Sequence, residues 1–123
     1  MSDRFLFDLL LLSSLAAAAV TALFLLFIAA PYGRHVRKGW GATLDNRLGW
    51  IVMEAPAPLV FAFYFMVGEY RDTWTALVFL LMWEAHYIHR SFIYPFSLRS
   101  EGKRMPVVIA GMGFLFNALN GYL

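Results

Sequence analysis

Between Phe5 and Ala30 the sequence reads FLFDLLLLSSLAAAAVTALFLLFIAA, an apolar run with one charge, Asp8. About 20 apolar residues suffice to cross the hydrocarbon core of a bilayer as a helix. Backbone in lipid must satisfy its own hydrogen bonds, which restricts a spanning segment of this kind to a helix. The run far exceeds the apolar core of a secretory signal, about 7–15 residues, and Asp3 and Asp8 weaken the positive region such a signal carries. A true first span is therefore expected. Further apolar stretches place spans near 7–30, 49–67, 74–94 and 106–123. Pro31 and Gly33 punctuate the end of the first, VGEYRD forms the turn between the second and third, and Pro106 suits the first turn of the fourth. Hydrophobic residues make up 61% of the chain, against about 45–50% in soluble domains. The expected fold is all-α: a polytopic membrane helical bundle, four transmembrane helices forming one domain over 1–123. No internal repeat or low-complexity linker divides it.

Basic residues set the expected direction. The loop after the first span holds Arg34, Arg37, Lys38 and Arg47, and the loop after the third holds Arg99, Lys103 and Arg104, with Arg90 at its boundary. The opposite side has only Arg4 and Arg71. The positive-inside rule puts both basic loops in the cytoplasm and the N-terminus outside. The net charge of +2 speaks for orientation rather than for nucleic acid. There is no cysteine, which excludes disulfides and thiolate metal sites.

The apolar segments carry polar residues that a plain anchor does not need. Glu54 sits in GWIVMEAPAPLVF, where Pro56 and Pro58 remove the donors that the carbonyls of Val52 and Glu54 would otherwise meet. Such backbone is tolerated at membrane depth only when packed in protein or lining a cavity. The segment can thus be a kinked packing helix or a carboxyl group presented to a pocket. In WEAHYIHRSFIYP, Glu84, Tyr87, Ser91 and Tyr94 share one helical face, and His86 and Arg90 form a neighbouring stripe. The bland readings are an aromatic belt for the tyrosines, snorkelling for His89 and Arg90, and a structural partner within the bundle for Glu84. His86 and His89 are three apart rather than at the i, i+4 spacing of a helical zinc pair, so no metal is expected. The glycines of GMGF read as helix-packing positions.

Three blocks carry a resemblance. PYGRH after the first span, GWIVMEAPAP with Trp50, Glu54 and Pro56 in register, and above all HYIHRSFIYP resemble the N-terminal half of the steroid 5α-reductase family, the 3-oxo-5α-steroid 4-dehydrogenases. NGYL near the end is similar too. The match runs through essentially the whole chain in the right order, and the third block is the most specific. The resemblance implies a polytopic enzyme that reduces the 4,5 double bond of a 3-oxo-Δ4 steroid with NADPH. A bacterial member would sit in the inner membrane.

Carried over by position, Glu54 and Tyr87 are the catalytic pair that holds the 3-keto oxygen. Hydride delivered to the β-carbon of an enone pushes negative charge onto that oxygen, and donors placed there stabilise the transition state more than the ground state. A tyrosine hydroxyl and a protonated carboxylic acid in a dry pocket both qualify. The enol or enolate then takes a proton at C4. Trp50 and Met53 are expected to wall the substrate pocket. Tyr32, Arg34, His86 and Arg90 are expected near the cofactor, with Arg37, Lys38, Lys103 and Arg104 attracting its phosphates. Met53 departs from the glutamine of the animal enzymes, which bears on steroid specificity. The family has about seven spans and takes much of its NADPH site from its C-terminal half, so the expected partners are an apolar enone, membrane lipid and that half as a further segment or second chain. The alternatives are a non-catalytic small membrane subunit or helical scaffold, and a distant relative of isoprenylcysteine-type methyltransferases, whose C-terminal motifs the sequence lacks.

Overall fold

The computed structural model describes residues 3–30, 35 and 38–123. Helix α1 spans Asp3–Leu25 and buries none of its residues. Ser13 and Ser14 donate to the carbonyls of Leu9 and Leu11, so their hydroxyls are satisfied within the helix. The α-helix stops short of the apolar run: Leu26, Phe27 and Ile28 tighten into turns on Leu23 and Phe24. Hydropathy continues to Ala30, but approaching Pro31 disfavours continued helix.

Helix α2 (Asn46–Glu54) is capped by Asp45, whose carboxylate accepts from the amides of Arg47 and Leu48 at 3.0 Å each. Helix α3 (Pro56–Val67) follows after a break at Ala55, with Pro56 at its start. Together Asn46–Val67 and, separately, α1 are long and apolar enough to cross a membrane. The break is buried, as its prolines require: Glu54, Pro56, Ala57 and Pro58 are all inside. Side chains meet carbonyls around it, with Asn117 Nδ2 donating to Met53 O at 2.8 Å and Trp83 Nε1 to Ala57 O at 3.1 Å.

Helix α4 (Trp74–Ile88) is capped by Thr73 and runs into a π-helical turn at His89–Ile93, then the short α5 (Tyr94–Ser97). A π turn carries an extra residue per turn and often marks a functional site. Here it breaks the face on which Glu84, Tyr87, Ser91 and Tyr94 were expected together. Helix α6 (Val107–Tyr122) packs on α2 and α3.

One element was not expected. β1 (Thr43–Asp45) pairs antiparallel with β2 (Arg104–Pro106), with Leu44 opposite the fully buried Met105. Arg104 fixes the pair by donating to Thr43 Oγ1 at 3.1 Å and Thr43 O at 2.6 Å. The fold is therefore mostly helical with a small sheet joining the two basic loops. Three-residue strands have no alternation long enough to read in a sequence.

The glycines divide. A Cβ on Gly121 would lie 3.0 Å from Ala57 O and 3.1 Å from Phe61 N, both backbone atoms of α3, while one on Gly111 would meet open space. Gly113 faces the Met53 side chain. Of the two glycines in GMGF, then, only Gly113 is a packing position. Gly121→Val is expected to lower stability by about 1–3 kcal/mol through overpacking, seen as a lower melting midpoint in detergent. Gly111→Ala should leave that midpoint unchanged or raise it.

Candidate active site

The kink, the π turn and α6 bring the expected catalytic pair to one region of the bundle. Glu54, the last residue of α2, has a side chain only 4% exposed. Its Oε1 accepts from Arg90 Nε at 2.9 Å, and its Oε2 from Asn117 Nδ2 at 3.4 Å. Arg90 belongs to the π turn and lies over the Trp50 ring, 5.2 Å from its centroid. Trp50 in turn meets Tyr94 edge-to-face at 5.4 Å. The guanidinium is thus held by a buried carboxylate on one side and an indole face on the other. Arg90 turns its Nε toward the buried carboxylate while its side chain stays 42% exposed.

Tyr87 stands on α4 with its hydroxyl accepting from Asn120 Nδ2 at 3.4 Å. Its ring packs against Trp83 at 4.5 Å and edge-to-face against His86 at 4.9 Å. Glu54 lies within electrostatic range of it. Beside Tyr87 runs an open apolar groove of about 690 Å³ lined by Phe61, Phe79, Met82, Trp83, His86 and Tyr87. Phe61 stacks on Trp83 at 4.8 Å, forming a flat aromatic wall. Ligand sites of this size, mostly apolar with a few convergent polar groups, are the usual form of small-molecule pockets.

The other expected residues are distributed as follows. Met53 packs on Gly113 and Trp50 on Arg90 and Tyr94, so neither lines the groove beside Tyr87. His86 is exposed at the groove. Tyr32, Arg34 and Arg37 lie outside the described residues. Arg104 is engaged with Thr43, whereas Arg47, Arg99 and Lys103, together with Glu101, line a separate cavity of mixed polarity and about 620 Å³ next to the sheet. Among the described residues, the buried Oε1 of Glu84 and the hydroxyl of Ser91 have no hydrogen-bond partner. Asn117 and Asn120 were missed by the sequence reading. Their signal was available, since two amides three apart in an apolar helix need partners within the protein.

No protein-family model matches the chain. Against curated proteins it aligns over almost its whole length. It is 39% identical over 127 residues to steroid 5-alpha-reductase DET2 of Arabidopsis thaliana, covering 99% of this chain and 48% of that protein. It is 37% identical to the protein of the same name from Gossypium hirsutum, with 99% and 48% covered. It is 33% identical to 3-oxo-5-alpha-steroid 4-dehydrogenase 1 of Bos taurus, with 100% and 49% covered.

The chain belongs to the steroid 5-alpha-reductase family.

It spans about half the length of the curated relatives it matches. For a steroid 5-alpha-reductase family chain, the Glu54–Arg90 pair and the Tyr87–Asn120 contact give the HYIHR block and the kinked helix a common geometry: both converge on polar partners supplied by α6.

Proposed function

We propose that this chain forms the substrate half of an NADPH-dependent enzyme that reduces the 4,5 double bond of a 3-oxo-Δ4 steroid or a similar rigid, apolar enone. The observation that carries this reading is the placement of a tyrosine hydroxyl at the edge of an apolar, aromatic-walled groove, with a buried carboxylate nearby. A flat ring system suits the Phe61–Trp83 wall, and the carbonyl oxygen lies toward the Tyr87 hydroxyl. NADPH, when bound, supplies the hydride that adds at C5. Tyr87 donates to the oxygen as negative charge develops on it, and burial away from water strengthens that bond. Glu54 keeps Arg90 turned toward the site. The proton that completes C4 comes from water. Among the described residues, the donors fit the cofactor in part: His86 is exposed at the groove, and Arg99 and Lys103 line a cavity that also holds the Glu101 carboxylate, with Arg47 there engaged by Pro95 O and the Phe96 ring.

We place the chain in a bacterial inner membrane with four spans, α1, α2–α3, α4 through α5, and α6, both basic loops cytoplasmic and the N-terminus outside. Pairing of the two basic loops in one sheet supports their lying on the same side. The remainder of the cofactor site would come from a further segment or second chain.

Testosterone or another 3-oxo-Δ4 steroid should quench the fluorescence of Trp83 when titrated into the protein in nanodiscs, and its 5α-reduced product should form when NADPH is added together with the segment or chain that completes the cofactor site. Absence of both binding and product would leave the scaffold reading standing instead.

A further inference from the structure

Apolar helix α6 carries two asparagines, Asn117 and Asn120, three residues apart and so on one face. An amide in such a helix is costly unless bonded. Here each reaches one member of the proposed catalytic pair: Asn117, 5% exposed, donates to Glu54 and Met53, and Asn120 donates to Tyr87.

The direction of these bonds has a chemical consequence. A phenol has one hydrogen to donate and lone pairs to accept with. When Asn120 Nδ2 occupies a lone pair of Tyr87, the hydrogen of that hydroxyl is left for another acceptor. No second hydrogen bond to Tyr87 occurs among the described residues. The strongest competing acceptor nearby is the Glu54 carboxylate, within electrostatic range of Tyr87. Both of its oxygens already accept, one from Arg90 and one from Asn117.

We propose that Asn120 is a positioning residue that aims the Tyr87 hydrogen at the substrate's carbonyl oxygen by capping the phenol oxygen, while Asn117 on the same face holds Glu54 beside Arg90. In this arrangement Tyr87 is the donor to the oxyanion, and Glu54 is held by Arg90 and Asn117. The inference rests on the reading of Tyr87 as the group that meets the enone.

Asn120→Asp tests it, because the substitution keeps size while replacing the donor with an acceptor that takes the Tyr87 hydrogen. With a 3-oxo-Δ4 steroid in nanodiscs, the carbonyl stretch of the bound steroid should rise toward its unbonded frequency. Turnover with NADPH should show kcat lower by about tenfold or more and KM within about twofold. Asn120→Leu, which removes the donor without adding a competitor, should lose less than Asn120→Asp. In a Tyr87→Phe background, Asn120→Asp should change neither kcat nor the carbonyl frequency further. Equal losses in both backgrounds would mark a merely structural role and overturn the inference. So would an unchanged carbonyl band in Asn120→Asp when Tyr87→Phe shifts it; the reading of Tyr87 would then survive alone. If Tyr87→Phe changes nothing, or the unaltered protein binds no steroid, that reading falls and takes this inference with it.

Discussion

Tyr87→Phe is expected to reduce kcat for enone reduction by about 10²–10³-fold, the scale of losing one oxyanion donor, with steroid binding reduced far less. The asymmetry follows from where the bond matters. The ground-state carbonyl is a modest acceptor, and the oxygen becomes a strong one only as hydride reaches C5. Phenylalanine preserves the ring contacts to Trp83 and His86, so the groove keeps its shape. Single-turnover product formation, beside equilibrium titration of the same steroid, separates the two effects. A variant that binds and reduces at the unaltered rate would remove Tyr87 from the chemistry and favour a scaffold.

The second large effect concerns stability. Arg90→Leu should destabilise the protein by about 3 kcal/mol, and more than Glu54→Gln does. The reason lies in unequal burial: the Glu54 side chain is 4% exposed and that of Arg90 is 42% exposed. Removing the arginine strands a carboxylate inside the bundle, with Asn117 the donor left to it among the described residues. Removing the carboxylate's charge leaves a guanidinium that can still reach water and rest on Trp50. The double variant Glu54→Gln/Arg90→Leu should therefore be more stable than Arg90→Leu alone. Melting midpoints of the four proteins in one detergent decide it, and an Arg90→Leu protein as stable as the parent would mean the pair holds nothing together.

Much of the frame was legible because it follows from run lengths and punctuation. The second apolar stretch, its prolines and Glu54 marked a helix that had to break in a packed place, and it breaks at Ala55 with Glu54, Pro56 and Pro58 buried. HYIHRSFIYP announced a polar helix end, and Tyr87 does face a groove. What escaped was whatever depends on pairing across the chain. Nothing local says that Arg90 pairs with Glu54 across helices, or that TLD and RMP would meet as strands. The π turn was hidden because an extra residue in a helix leaves no pattern of its own. Asn117 and Asn120 were passed over because a window average treats two amides as dilution of an apolar run, when in lipid each one demands an address.

The β1–β2 pair acts as a ruler. It fixes the starts of α2 and α6 relative to each other, since Asp45 lies opposite Arg104, Pro106 lies opposite Thr43, and each strand leads directly into its helix. Each residue advances a helix by about 1.5 Å and turns it by about 100°. The depth and heading at which Glu54 meets Asn117 are thereby counted out in residues from a common origin. A single residue inserted into either helix before that meeting point would miss both height and direction, which makes chain length here, and not only side-chain identity, a coordinate of the site.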